Sequence, residues 1–406
     1  MMHSPLPVIR LNPKTSPTGV RRGVPWVYDN ELVLDRRSKA LAPGSIALLE
    51  DAARVPLALV AVNPGSRIMA RVLDLDPSQT IDRAWLRLRL RRALTLRERL
   101  FDAPFYRLIH AEADGLPGVV IDRFGDTCVI QPNAAWADAM LEDLTAALAD
   151  VTGAANILKS ASGRARALEG LDDAPAVLRG AAPTGPVQVP MNGAIYMADL
   201  TQGQKTGLFF DQRPNHAFAA RLGQGARVLD VFSHVGGFSL ATLAHGAASA
   251  LAVDGSDPAL DFARAGAAAM GMAGRLETRK GDAFDVLTAL GAEGARFEVV
   301  ICDPPAFAPS KKSLEAGLRA YERTARLAAP LVAEGGFLVL CSCSHAADMD
   351  AFRRACLRGI GRGLHGAGRG AGPAPQLIHT GGAGPDHPMH THLAESGYLK
   401  ALFFRL

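Results

Sequence analysis

From residue 227 onward, apolar runs of strand length alternate with helix-like stretches, and each run stops at a chemically active side chain. Val228–Leu229 leads into Asp230, Ala248–Val253 into Asp254, Leu276–Gly281 into Asp282, Phe297–Cys302 into Asp303, and Gly335–Ser342 into Cys343. Strands alternating with helices specify a parallel sheet with helices on both faces. The strands of such a sheet all point one way, so the five groups gather at one carboxyl edge, where open α/β sheets bind their ligands. A lone Asp after a strand is usually a helix cap. An ordered series of five is much harder to obtain by accident.

The loops at that edge narrow the chemistry. After Asp230 comes Phe232-Ser233-His234-Val235-Gly236-Gly237, in which two glycines open a helix and would let backbone approach a ligand. The spacing is not the G-x-G-x-x-G of dinucleotide sites, so a pyrophosphate ligand is disfavoured. Asp254, ending the second strand, is placed to accept bonds from ribose hydroxyls. In Asp303-Pro304-Pro305 the first proline drives Asp303 to extended geometry and neither proline offers an N–H. The result is a stiff turn, either structural or shaped to hold the polar edge of a flat base. Cys341 and Cys343 lie two apart, on one face of a strand. His345 is near, but no second Cys/His pair sits at ligand spacing, so no metal site is expected. Either the thiols are inert packing or the one at the strand end is a nucleophile.

The N-terminal part has a different character. Residues 1–110 carry 18 Lys/Arg against 10 Asp/Glu, whereas the remainder carries 26 against 30. That asymmetry fits a polyanion-binding module joined to an enzyme, or an arginine-rich solvated surface. Short apolar runs at 24–28, 44–49, 56–62 and 68–73 predict a small β-barrel, with Arg21 and Arg22 beside Trp26. Cations next to an aromatic suit a phosphate backbone and a stacked base, unless the indole is core and the arginines its rim. Residues 82–100 predict a helix with leucines every four residues and seven arginines against two acids. A hairpin at 119–130, a helix near 134–149 and a strand near 156–158 follow. The Pro/Gly-rich stretch 180–190 reads as a boundary, and the Gly/Arg/Pro-rich stretch 359–385 as a mobile loop. Five cysteines in 406 residues point to a reduced compartment, and no signal-peptide core opens the chain. Val231–Val253 lacks any Asp, Glu, Lys or Arg, but its glycines, serines and histidines read as a buried turn, helix and strand rather than a membrane span.

The runs VLDVFSHVGGFS (228–239), AVD (252–254), GDAF (281–284), VVICDPPAF (299–307) and LVLCSCS (338–344) together resemble the class I S-adenosylmethionine-dependent methyltransferases. Within them the chain is most similar to bacterial 23S ribosomal RNA cytosine-C5 methyltransferases with an N-terminal PUA domain. The likeness extends through Pro25-Trp26-Val27, residues 105–109, residues 114–125, the highly specific segment 203–213, Asp386-His387-Pro388 and residues 397–400. It implies an α/β protein in three parts. These are a PUA-like RNA-binding barrel at 1–78, a linker helix with a small central α+β domain at 79–190, and a Rossmann-like methyltransferase domain at 191–406.

The resemblance also implies roles. Asp230 with Phe232, Ser233, Gly236 and Gly237 would hold the methionine part of S-adenosylmethionine, Asp254 its ribose and Asp282 its adenine. Asp303 would border the cofactor and position the target base, and Cys343 would be the nucleophile. Arg21, Arg22, Trp26, Lys205 and Arg213 are the candidate RNA contacts. The implied setting is the cytoplasm, with 23S ribosomal RNA as partner, no membrane, and a homodimer compatible with the sequence. Thiolate addition at cytosine carbon 6 would make carbon 5 nucleophilic, and the base must leave its stack to be reached. Ala306 stands where the family usually has Lys, and His345-Ala346-Ala347 where it commonly has Gly-Leu-Met. A methyltransferase acting on another base such as guanine, with Cys343 structural, and an inactive RNA-binding relative are the competing readings.

Overall fold

The computed structural model describes residues 6–161, 163–201, 207–370 and 374–406. The chain divides into two compact units, the first comprising 1–185, 199–207 and 386–393, the second 186–198, 208–385 and 394–406.

The first unit holds two five-stranded sheets. One is ordered Val8–Arg10, Ser45–Glu50, Pro56–Val62, Ala70–Asp74, Trp26–Val27. The other, ordered Ala176–Arg179, Asn156–Lys159, Thr127–Pro132, Val119–Phe124, Phe105–His110, contains the expected hairpin. The arginine-rich helix runs Arg83–Leu100, started by Asp82, whose side chain accepts from the Trp85 backbone N–H. Its inner face buries Trp85, Leu86, Leu90, Leu94 and Arg97. Its arginines are largely spoken for inside the unit: Arg83 pairs with Asp143, Arg87 with Asp150, Arg89 with Asp74 and Arg97 with Asp114. Part of the cationic face expected from the sequence is therefore met by acids of the same unit, while Arg91, Arg92 and Arg99 stand exposed. Arg97 is fully buried, its two Nη atoms 2.7 Å from the two Asp114 oxygens, and it also donates to the Asp386 carbonyl. The helix expected at 134–149 is two, Ala135–Ala139 and Leu141–Thr152, broken at Met140.

The second unit is built on a seven-stranded sheet. Its strands are β1 (Arg227–Val231), β2 (Ser249–Asp254), β3 (Leu276–Lys280), β4 (Phe297–Cys302), β5 (Val332–Ser342), β6 (Gln376–Gly381) and β7 (Lys400–Arg405). The order is β3-β2-β1-β4-β5-β7-β6; β1 to β5 are parallel, and β7 is antiparallel to both neighbours. Helices α1 (Gly237–Ala244), α2 (Asp257–Ala269), α3 (Ala283–Ala292), α4 (Leu314–Ala328) and α5 (Met349–Gly366) follow the first five strands in turn. A core of Leu229, Val231, Val300, Leu338, Phe352 and Leu402, among others, fills the sheet–helix interface. The uncharged stretch 231–253 is the end of β1, its loop, α1 and most of β2, and no described helix is long and apolar enough to cross a membrane.

The division between the units at Gly185/Pro186 falls inside the Pro/Gly-rich stretch 180–190, whose last residues enter Val187–Met191, a strand paired with Ala194–Ala198. One expectation is corrected. The glycine-rich stretch 359–385 is not one loop, since α5 continues to Gly366 and Gln376–Gly381 is a strand. Gly359 is required by close helix packing: a Cβ there would lie 2.3 Å from the Glu322 carbonyl oxygen of α4.

Candidate active site

The parallel register of β1 to β5 brings Asp230, Asp254, Asp282, Asp303 and Cys343 to one sheet edge. Asp230 is fully buried; its Oδ2 accepts from the Ser239 N–H and hydroxyl, both at 2.8 Å. Among the described residues its Oδ1 has no partner, and neither has the buried Ser233 Oγ. Burial pushes the Asp230 carboxyl up to about 6, against the two Ser239 hydrogen bonds. Buried polar atoms without partners are costly, and two of them at the end of β1 and in the loop after it are what a polar ligand would satisfy. The loop is held in an unusual shape, with Phe232 at φ 64°, His234 at φ 49° and Gly236 at φ 81°. Backbone strain of this kind persists where surrounding structure enforces it, commonly at ligand sites. Gly237 answers a packing need as well, since a Cβ there would lie 2.7 Å from His216 Nε2.

Asp254 accepts from the backbone N–H groups of His234 and Ser256, both at 2.9 Å, which ties the β1 loop to the end of β2. Each carboxylate oxygen retains a second lone pair for a ligand hydroxyl. Asp282 caps α3 through the N–H groups of Phe284 and Asp285. At this edge Phe232, Phe284 and Phe307 form a triangle with ring centroids 6.2 to 6.5 Å apart, Phe232 edge-on to the other two, an apolar cluster in which sequence reasoning named only Phe232. The donor set, the orphaned oxygens and the aromatic surface together fit an adenosine bearing an amino-acid tail.

On the other side of β1, Asp303 Oδ2 accepts from Gln212 Nε2 at 2.9 Å. Dense packing, with the nearby Asp211 and Asp230 charges, pushes its carboxyl up to about 8. Asp303 keeps some exposed surface, so solvent tempers the shift, whose direction favours the protonated acid more than in an ordinary aspartate. Cys343 lies directly beyond β5 and is half-buried, whereas Cys128, Cys302, Cys341 and Cys356 are buried. Burial and then Asp303 push the Cys341 thiol well up, so it is inert packing. The two serines around Cys343 are pinned: Ser342 donates to the Tyr321 hydroxyl at 2.9 Å, and Ser344 Oγ lies 2.7 Å from that hydroxyl while accepting from the Ala308 N–H. The Asp-Pro-Pro turn and the Ser-Cys-Ser turn are thereby bolted together. Lys400 Nζ, buried, donates to the Ser344 and Tyr398 carbonyls at 2.9 and 2.7 Å.

The RNA candidates are placed less simply. Arg21 pairs with Asp51 and Arg22 is exposed. The Trp26 indole donates to Glu112 at 2.8 Å and lies against Arg71, so the ring is engaged within its own unit. Arg213 lies 5.4 Å over the Phe210 ring, and Lys205 falls outside the described residues.

The S-adenosylmethionine-dependent methyltransferase family model matches residues 112–371, and a PUA-like domain model matches 9–75. The ribosomal RNA large subunit methyltransferase I of Aeromonas hydrophila is 35% identical over 354 residues, covering 86% of this chain and 87% of that protein. The chain belongs to this family. The Shewanella amazonensis member is 34% identical over 402 residues, covering 98% and 99%. A putative SAM-dependent methyltransferase from Streptococcus mutans shares the fold at a TM-score of 0.79 and 17% identity, covering 99% of this chain and all of that one. As a family member the protein is an S-adenosylmethionine-dependent methyltransferase.

Proposed function

We propose that the protein methylates carbon 5 of a cytosine in large-subunit (23S) ribosomal RNA, through a covalent adduct with Cys343. The observation that carries this reading is that neighbouring parallel strands place a half-buried thiol, Cys343, directly beyond β5 and a carboxyl, Asp303, directly beyond β4, with burial and nearby acids raising that carboxyl's hold on its proton. The names of the relatives supply the RNA class, and the basic N-terminal part suits a phosphate backbone. The compartment that follows is the cytoplasm.

Asp230, Phe232, Ser233, Gly236 and Gly237 hold the methionine part of the cofactor in this reading, Asp254 the ribose and Asp282 the adenine. Bound S-adenosylmethionine supplies an electrophilic methyl group, which carbon 5 of the base captures. The Cys343 thiolate adds to carbon 6, forming the S–C6 bond. Asp303 delivers its proton to ring nitrogen 3, so the electron pair from the broken C5–C6 double bond comes to rest as an enamine. After methylation a base takes the carbon 5 proton, the S–C6 bond breaks to return the thiolate, and the nitrogen 3 proton goes back to Asp303. Nucleophilic and acid–base assistance share the barrier. The serines pinned by Tyr321 keep Cys343 aimed, and the Ala308 N–H donating to Ser344 Oγ holds its turn against the segment that follows Asp303.

The test uses unmodified 23S RNA transcript with the wild-type protein and Cys343→Ala. The wild type is expected to yield 5-methylcytidine and a denaturation-resistant complex with 5-fluorocytidine-containing transcript; Cys343→Ala yields neither. Undiminished 5-methylcytidine from the variant would reject covalent catalysis, and methylguanosine as product would reject the base.

A further inference from the structure

The hydrogen bonds behind Asp303 have a direction. Oδ2 accepts from Gln212 Nε2, and Oδ1 makes no hydrogen bond among the described residues. The way the Gln212 amide faces is decided one step further back. Gln212 Oε1 accepts from Asn215 Nδ2 at 2.6 Å, and the same Nδ2 donates to the Gly382 carbonyl at 3.0 Å. A backbone carbonyl can only accept, so Asn215 must present its nitrogen there. That nitrogen also faces Gln212, which must then turn Oε1 toward Asn215 and Nε2 toward Asp303. The chain cannot be reversed from its Gly382 end. Asn215 has no room to swing, since it is buried and a Cβ at Gly381 would sit 2.0 Å from its Oδ1. Gln212 is likewise buried.

We infer that Gln212, locked by Asn215 and the Gly382 carbonyl, is a positioning residue that keeps the acid proton of Asp303 on Oδ1, so that the target base meets a donor and cytosine is chosen over uracil. The inference rests on the reading that Asp303 faces the base. A donor fed into Oδ2 favours the carbonyl form of that oxygen, the better acceptor, which places the O–H on Oδ1. Ring nitrogen 3 of cytosine is a bare acceptor and completes that bond. The same nitrogen in uracil carries hydrogen, so two donors would collide and a desolvated polar group would be left unpaired. The groups facing Asp303 agree with a retained proton: Asp211 from the 210–212 turn, Asp230 from β1, and the thiols Cys302 of β4 and Cys341 of β5. Asp211 is itself fixed by the Tyr398 hydroxyl at 2.6 Å.

The experiment measures methylation of unmodified 23S transcript against pH for the wild type, Gln212→Met, Asn215→Leu and Asp303→Asn, with 5-methylcytidine and 5-methyluridine quantified separately. The wild-type rate falls on the alkaline side as Asp303 loses its proton. Gln212→Met removes a hydrogen bond that favours the anion, so this limb moves to higher pH. Its rate at pH 7 drops about tenfold, the worth of one hydrogen bond, because the proton is free to occupy either oxygen. Asn215→Leu lets Gln212 turn round and gives the same two changes, so either variant suffices should the other fold poorly. S-adenosylmethionine binding by calorimetry stays at the wild-type value in both. A wild-type alkaline limb in both variants overturns the inference. Asp303→Asn separates the layers: if it keeps the wild-type rate and pH profile, the base-facing role of Asp303 fails, whereas if it loses activity while the other two keep the wild-type limb, only the relay fails.

Discussion

Asp303→Asn is expected to give a protein that is more stable and far less active. A carboxyl whose pKa is raised by folding holds its proton in the native state while the unfolded chain has released it, so it destabilises the fold at every pH above its unfolded value. For Asp303 that burden begins as pH rises past 3.8 and is complete near 8. A tenfold difference in proton affinity is worth about 1.36 kcal/mol. At pH 7 this sets an upper limit of roughly 4 kcal/mol, and screening by the solvent that reaches Asp303 brings the expectation to about 2 kcal/mol. Asn copies the neutral acid: its oxygen can accept from Gln212 and its NH₂ can face the base. At about 2–4 °C per kcal/mol for a unit of this size, the melting temperature should rise by roughly 4–8 °C at pH 7. The gain should shrink to nothing below pH 4, where wild-type Asp303 is protonated in both states. Turnover falls by about 10²–10⁴, the usual worth of a positioned acid. Thermal melts from pH 4 to 8, paired with methylation rates, check both halves. A gain independent of pH, or a variant less stable than wild type at pH 7, would refute the argument that Asp303 is held neutral.

Other outcomes follow from the same contacts. Gly359→Ala should destabilise by about 1–3 kcal/mol in denaturant titrations, because its Cβ has nowhere to go against α4, whereas Gly361→Ala in the same helix meets nothing within 4 Å and should be neutral or stabilising by up to ~1 kcal/mol. Equal effects at the two positions would sink the packing account of α5. Trp26→Ala should lower stability by about 3–5 kcal/mol through loss of the Glu112 hydrogen bond and the Arg71 contact; unchanged stability with weakened RNA binding would instead restore a stacking role. Arg97→Met should cost about 3–5 kcal/mol by leaving Asp114 without its bidentate partner, as read by denaturant midpoint.

What the sequence disclosed and what it withheld have a common physical cause. Strand period, proline geometry and leucine spacing act over a few residues, so the helix of 82–100 and the five strand ends at one sheet edge were legible in advance. Partnerships across the chain leave no such trace. The arginines of 83–100 look like one free cationic face, yet Arg83 and Arg87 meet acids some 60 residues on. Gln212 meets Asp303 across 91 residues and Asn215 meets Gly382 across 167, so the segment 203–213 could be recognised as distinctive without its task being visible. The glycines of α5 misled for the opposite reason: composition reads glycine as slack, while Gly359 is there so that two helices can touch. The same distinction governs the site. Which acids reach the sheet edge follows from local pattern and topology. Whether one of them is neutral depends on what is packed behind it, and at Asp303 that is two carboxyls and a single amide whose orientation a backbone carbonyl dictates. A ring nitrogen offered to that oxygen would meet a donor or an anion according to those distant residues.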